Sequence, residues 1–400
     1  MDAAKPLAER VEALCANFTR IYRKQPARIF RAPGRINIIG EHTDYNEGFV
    51  LPAAVNRCVL AAVGPRNDRT VQVHSANLRR SARFDVDRIR PAARSWANYV
   101  RGVAWALQEK GARLPGLDIA IESDVPIGGG LSSSAALEVA AAYAWNATAR
   151  LRISRRSLAL LCRKAENEFV GVPCGIMDQF TAAMGKRGCA ILLDCRSLEW
   201  EAVALDDRSV RFVVADTGVR RALASSEYAV RRKQCEEAVE VMRASIPGIR
   251  SLRDVSHDDF LRLRTRLRGV LRRRTRHVLT ENARVHQAVK ALKDGDWAQV
   301  GVLLNASHES LRKDYEVSSP ELDTMVALAR QVDGVYGSRL MGGGFGGCTI
   351  SIVHADALDE FERHVAKGYA AAFDRRPSIY ACTAESGASE LRAARGGSGK

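Results

Sequence analysis

The chain has 400 residues, enough for about two or three domains with a large core. Its 46% hydrophobic and 27% charged residues exclude a fibrous or largely disordered protein, and no run of roughly 18 apolar residues is available for a membrane-spanning helix. The net charge of +15, from 61 Lys+Arg against 46 Asp+Glu, would attract nucleic acid, membrane surfaces or phosphorylated small molecules without choosing among them.

The first two dozen residues carry a charge every few positions and lack the apolar core of a secretory signal. Nine scattered cysteines contain no Cys-x-x-Cys pair, and eight histidines contain no His-x-x-x-His pair, so neither a disulfide framework nor a zinc site is implied. A cytoplasmic protein is the expectation. Residues 31–48 (RAPGRINIIGEHTDYNEG) then gather Arg35, Asn37, Glu41, His42, Asp44 and Asn46 around turn signals at Pro33-Gly34 and Asn46–Gly48. Such a density of short donors and acceptors suits a polyol, and a sugar is the natural candidate, the alternative being a polar surface loop.

Residues 49–62 and 117–121 read as strands, and the alanine-rich residues 137–149 as a tightly packed helix. Between the last two lies PIGGGLSSSAA (126–136), three glycines followed by three serines at a helix start. Free amides and the positive end of the helix dipole favour a phosphate there, and a hydroxyl can ligate Mg²⁺. No Gly-Lys-Ser/Thr closes the loop, so it is not a P-loop; as a bare pattern it equally fits a flexible connection before a good N-cap. Helical periodicity returns at 155–169. Glu166 stands twelve positions before Asp178 with a Gly-x-Pro-x-Gly turn between them, a spacing in which one carboxylate could hold a metal and the other meet a hydroxyl proton, if the fold brings them together.

Short strands follow at 190–194 and 210–216, with a weakly marked domain change near 205–210. Helices are expected at 227–242, 281–292 and 320–332. Residues 261–277 hold eight arginines and no aromatic side chain, which removes the stacking platform of a single-strand binder and leaves a solvated helical face or nonspecific polyanion contact. GGGFGG (342–347) precedes a strand at 348–353 rather than a helix, so a glycine turn closing over a ligand, or a plain tight turn, fits better than a dinucleotide fingerprint. Overall the alternation of elements is that of an α/β or α+β protein, with a flexible tail from about Gly387.

GRINIIGEHTDYNEG resembles the galactokinase signature, and PIGGGLSSSA and GGGFGGC resemble the second and third motifs of the GHMP small-molecule kinases. The likeness runs from about residue 28 to 353 and includes WANYVRG, PCGIMDQF, LASSEYAVRRKQCEE and RHVLTEN. It implies a two-lobed α/β (α+β) fold, a ribosomal-protein-S5-domain-2-like lobe over residues 1–207 and a ferredoxin-like lobe over 208–386, with the active site in the cleft between them. It implies a sugar held by Arg35, Glu41, His42, Asp44, Gly175, Asp178 and Tyr228. ATP would lie on Gly128, Gly129, Gly130, Leu131, Ser132, Ser133 and Ser134 with Trp96 at the adenine, and Mg²⁺ on Ser134 and Glu166. Asp178 would be the base that accepts the C1 hydroxyl proton, assisted by Arg35. The expected activity is ATP-dependent phosphorylation of galactose by a monomer, with no specific nucleic-acid or membrane partner. Relatives that take N-acetylgalactosamine or arabinose, and noncatalytic sugar and ATP sensors, are the alternatives. The sensors resemble kinases with a shortened second motif, whereas here that motif is complete.

Overall fold

The computed structural model describes residues 5–205, 207–219 and 224–391. From the N-terminus, α1 (Leu7–Tyr22) leads into β1 (Arg28–Asn37), β2 (Phe49–Val50), β3 (Pro52–Pro65), β4 (Thr70–Ser75) and β5 (Arg80–Asp85). Then come α2 (Asn98–Glu109), β6 (Leu117–Ser123), α3 (Ser133–Thr148), α4 (Arg155–Lys164), α5 (Met177–Met184), β7 (Cys189–Asp194) and β8 (Trp200–Ala204). The second half runs β9 (Val210–Asp216), α6 (Ala224–Arg243), α7 (His257–Leu263), α8 (Gly269–Lys293), α9 (Trp297–Ser310), α10 (Pro320–Ala329), β10 (Val335–Met341) and β11 (Cys348–His354). It closes with α11 (Leu358–Phe373), β12 (Ser378–Cys382) and β13 (Ser389–Leu391). Among the described residues no helix is long and apolar enough to cross a membrane.

Three sheets result, ordered β13-β1-β3-β6-β4-β5, β10-β11-β9-β12 and β2-β7-β8. Their main core is continuous across both halves: Ile36, Val59 and Ile121 of the first sheet and Val214 and Ile350 of the second belong to one buried cluster. Alanines at 136, 140 and 144 let α3 lie close against this cluster, as the residue type with no side-chain entropy to lose and no bulk to accommodate.

Two departures from the sequence reading concern backbone pairing. The turn signal read at Pro33-Gly34 falls inside a ten-residue strand, where β1 pairs with β3 on both sides and slips register between Pro33 and Arg35. Gly34 sits in that irregularity, where a Cβ would fall 2.7 Å from the Leu131 carbonyl oxygen. The expected flexible tail does not begin at Gly387: its N–H donates to Gly185 O (2.8 Å), that of Ala388 to Ala182 O (2.7 Å), and β13 adds to the edge of β1. Edge pairing draws on main-chain groups and needs no hydrophobic pattern, so composition gives no sign of it. Residues 392–400 lie outside the described residues.

The arginine-rich run spans α7 and the start of α8 and is only partly the solvated face expected. Arg274 is 2% exposed; it binds Glu316 (2.7 Å), Gln234 (2.7 Å) and the Asp314 carbonyl, and so ties α8 to the segment carrying Tyr315. Arg264, Arg268 and Arg272 remain exposed.

The halves are joined by Arg339 on β10, which is fully buried and donates to the carbonyls of Ile38 (2.8 Å), Asn37 (2.6 Å) and Leu340 (2.7 Å) and to Glu41 Oε1 (3.2 Å). Removing it strands one buried carboxylate and three carbonyls, the situation in which breaking a buried pair costs about 3–5 kcal/mol. Arg339→Met should therefore lower unfolding free energy by that order in urea titration; a loss within about 0.5 kcal/mol, the range of ordinary surface changes, would contradict the joining role.

Candidate active site

The register slip in β1 turns Arg35 toward the 126–136 loop, and its own N–H donates to Leu131 O (3.1 Å). Its guanidinium, 5% exposed, grips Asp178 of α5 with Nε to Oδ1 (2.7 Å) and Nη2 to Oδ2 (3.0 Å), and donates through Nη1 to the Gly130 carbonyl. Ser132 Oγ donates to Asp178 Oδ2 as well. Ser132 is the residue before α3 and would ordinarily cap the helix with this hydroxyl. Here it sits at φ +57° and makes no cap, so the first-turn amides of α3 are left for a ligand.

Two cavities meet on this pair. The larger, about 510 Å³, is lined by Gly128, Gly130, Ser132, Ser133 and Ser134 on one side and by Trp96, Tyr99, Leu78 and Ile121 on another. A polar cradle at a helix start opposite an apolar, aromatic wall is the form a nucleotide requires. The smaller, about 260 Å³, is lined by Glu41, His42, Asp44, Glu166, Cys174, Gly175 and Tyr228. Arg35, Asp178, Gly342 and Gly343 line both. The glycine turn at 342–344 is thus a wall of the site, and its Gly342 N–H donates to Glu41 Oε1 (2.9 Å).

The structure brings together every residue expected of the sugar site. Glu166 and Asp178 converge on the smaller cavity, as their spacing alone could not establish. Of the nucleotide residues, Gly129 and Leu131 do not line the cavity: Gly129 is buried, and the Leu131 side chain belongs to the core while its carbonyl serves Arg35. Asn37 and Asn46, grouped with the sugar residues by pattern, are structural: Asn37 is fully buried at the end of β1, and the Asn46 amide donates to His42 O (2.9 Å).

Residues of the RHVLTEN stretch, to which the sequence reading gave no role, hold the first loop from behind. Glu281 Oε1 on α8 accepts the N–H groups of Gly40 (3.0 Å) and Glu41 (3.2 Å) and the Ser307 hydroxyl (2.7 Å). Burial alone would raise its pKa, yet the charges of Arg284, His277 and Arg339 hold it down at about 2. His277 reaches Glu41 O (3.1 Å). His42 bonds Tyr45 Oη through Nδ1 (2.8 Å) and packs between the rings of Tyr228 and Tyr315. Burial, then the charges of His277 and Arg231, depress His42 to about 3, so it serves as a neutral ring. Gly175 allows the closest approach in the site, since a Cβ there would lie 1.8 Å from Asp44 Oδ2.

Acidic groups are crowded. Burial, then repulsion from Asp178, raises Asp44 to about 7 against the Tyr45 N–H and Arg35. The same two causes raise Glu166 to about 7 against the side chains of Cys174, Ser134 and Gln179. Among the described residues no cluster of three metal-ligating side chains exists. The Ser134 hydroxyl and Glu166 carboxyl form the sparse, all-oxygen donor set that suits Mg²⁺ arriving with phosphates, since that ion usually takes one or two carboxylates and completes its shell with phosphate and water.

Family models for the GHMP kinases N terminal domain, the GHMP kinases C terminal domain and the galactokinase galactose-binding signature match residues 98–186, 288–371 and 16–65. A galactokinase of Roseiflexus sp. (strain RS-1) is 49% identical over 370 residues, covering 92% of this chain and 94% of its own. One of Chloroflexus aggregans is 48% identical over 380 residues, covering 95% and 97%. The crystal structure of Lactococcus lactis galactokinase complexed with galactose superposes at a TM-score of 0.92 with 35% identity, covering 96% of this chain and 100% of its own.

Asp44 gives a direct electrostatic test. Its folded value lies above the ordinary 3.8, so the neutral carboxyl contributes stability that is present at acidic pH and lost as pH rises through about 7. In the ligand-free protein Asp44→Asn should melt higher than wild type at pH 8, with the gap narrowing at pH 5 and closing only as pH falls to the ordinary 3.8. Parallel melting curves across that range would show that Asp44 is not strained by burial.

Proposed function

The chain belongs to the galactokinases of the GHMP kinase family, and from this we propose that it transfers the γ-phosphoryl group of ATP to the anomeric hydroxyl of galactose, giving galactose 1-phosphate and ADP. The observation that carries the reading is that the larger and smaller cavities share Asp178 and Arg35. A phosphate on the Gly128–Ser134 cradle and a sugar in the smaller cavity would meet at that pair.

Asp178 accepts the C1 hydroxyl proton as the C1 oxygen bonds to the γ-phosphorus and the bond from phosphorus to the ADP oxygen breaks. Its two oxygens are anchored by Arg35 and Ser132, so its direction is set before the substrate arrives. Little covalent help is needed for phosphoryl transfer, and positioning with charge stabilisation dominates. Arg35 supplies positive charge beside the transferring group, and the α3 amides left uncapped by Ser132 receive phosphate oxygens. Mg²⁺ held by Ser134 and Glu166 would neutralise charge on the phosphates. In the smaller cavity Glu41 Oε1 is committed to Arg339 and Gly342, which leaves Oε2 for a sugar hydroxyl. Asp44, His42 and Tyr228 complete the ring of hydroxyl partners. Trp96, on the wall of the larger cavity, would lie against the adenine. The need for ATP fits the cytoplasm.

ADP release with ATP, Mg²⁺ and galactose, N-acetylgalactosamine, arabinose or glucose tests the assignment. Galactose should be turned over fastest. Asp178→Asn should lose about 10²- to 10⁴-fold in kcat, the usual contribution of a general base, while still binding galactose. No turnover of any sugar by wild type that binds galactose and ATP would favour a sensor. Gly175→Ala should weaken galactose binding in calorimetry, because the new methyl displaces the Asp44 carboxylate. Galactose affinity in wild type should rise with pH by roughly tenfold between 6 and 8 if the ionised Asp44 is the competent acceptor, since apparent affinity scales with the competent fraction.

A further inference from the structure

Beneath the site lies a buried acidic group that the chemistry above does not use. Glu138 is fully buried on α3, one helical turn after Ser134 and on the same face. It lines neither cavity and so meets neither substrate. Its partner is Gln179 of α5, fully buried and next in sequence to Asp178. Gln179 Nε2 donates to Glu138 Oε2 (3.1 Å) and to Glu166 Oε2 (2.6 Å). One amide nitrogen therefore spans two buried carboxyl groups carried on α3 and on the turn after α4, with both of its N–H bonds committed.

Resting on the assignment of Glu166 as a metal ligand, we propose that Glu138 and Gln179 are a positioning pair: Glu138 anchors the Gln179 amide, and the amide holds the Glu166 carboxyl in the orientation that faces Ser134 and the phosphates. Three features support this. Glu166 also meets Cys174 Sγ on the same oxygen at 3.4 Å and the Ser134 side chain, and the 2.6 Å bond from Gln179 is the short contact that reaches it from behind. Glu138 is buried beside Glu166, with no salt bridge to it among the described residues, and burial, then repulsion from Glu166, holds its carboxyl well above the ordinary carboxylate range. Finally, among the described residues Glu138 Oε1 and Gln179 Oε1 are buried without a hydrogen-bond partner, so the bond from Gln179 Nε2 is the one that ties the two side chains together. Groups that orient a metal ligand from behind typically change metal affinity by 10- to 100-fold when removed.

The test compares Glu138→Ala, Gln179→Ala, Glu138→Gln and Glu166→Ala by two readouts: equilibrium binding of Mn²⁺ in the presence of ADP, and the Mg²⁺ concentration that gives half-maximal turnover. Galactose affinity without nucleotide and the thermal midpoint are measured on each variant. Glu138→Ala and Gln179→Ala should raise the metal requirement about 10- to 100-fold, by more than they lower kcat at saturating Mg²⁺, and should leave galactose affinity within a factor of two. Glu138→Gln keeps an acceptor oxygen and the shape of the side chain, so it should restore metal binding to within about threefold of wild type. That rescue separates positioning from simple packing, and it decides the matter with Gln179→Ala should Glu138→Ala not fold. If Glu166→Ala weakens Mn²⁺ binding but Glu138→Ala and Gln179→Ala do not, the positioning pair is refuted and the ligand assignment stands. Unchanged Mn²⁺ binding in Glu166→Ala refutes the ligand assignment and the pair with it.

Discussion

The bidentate contact between Arg35 and Asp178 is the interaction on which the rest of the site turns. A guanidinium fork matches a carboxylate in geometry as well as charge, and Ser132 and the Gly130 carbonyl take up further valences of the pair. Removing two ions from water is costly, and such a pair persists where its hydrogen bonds are saturated. The arrangement also recruits three separate pieces of chain. β1 must slip register to aim the arginine, α5 must begin at Met177 to present the aspartate, and the glycine-serine loop must forgo its helix cap to supply a hydroxyl. Local regularity is given up at each place, and the common beneficiary is a charge pair at the junction of two cavities.

A second layer of buried charge holds that junction still. Glu281 gathers the Gly40 and Glu41 amides, Arg339 gathers the carbonyls of Asn37 and Ile38, and both converge on Glu41. The loop carrying Glu41, His42 and Asp44 is thus fixed by hydrogen bonds from α8 and β10, elements far away in sequence. A wall built in this way can tolerate left-handed backbone at His42 (φ +61°), because the surrounding bonds over-determine it.

The same site concentrates carboxyl groups to an extent that opposes stability. Asp44 and Glu166 are both pushed to about 7, and Glu138 is raised well above the ordinary carboxylate range, chiefly by burial. Hydroxyl and metal recognition call for acceptors, and sheltered acceptors repel one another, so the ligand-free protein carries electrostatic strain that its substrates relieve. Gln179, whose single amide nitrogen serves two of these carboxyls, is the least expensive way to keep them apart without introducing another charge.

Much of this was legible in the chain. Strands at 117–121, 190–194 and 210–216 and the alanine-rich helix follow from period and composition; the polar cluster at 35–44 suggests a polyol by its side chains, and the glycine-serine loop fits a phosphate or a flexible connection. Resemblance to galactokinases assigned those residues their parts. Out of reach were Glu138, Gln179, Glu281 and Arg339, ordinary residues within helices and strands whose importance lies in what stands opposite them. Also out of reach were the strand at 389–391 and the burial of Arg274 within an arginine-rich run. Sequence by itself determined which donors, acceptors and flexible backbone positions are available, because those are properties of residue type. Tertiary structure alone decided that Glu166 and Asp178 converge, which amide lies between Glu166 and Glu138, and which acids burial leaves neutral. Distances between remote segments and the local loss of water exist only once the chain has packed.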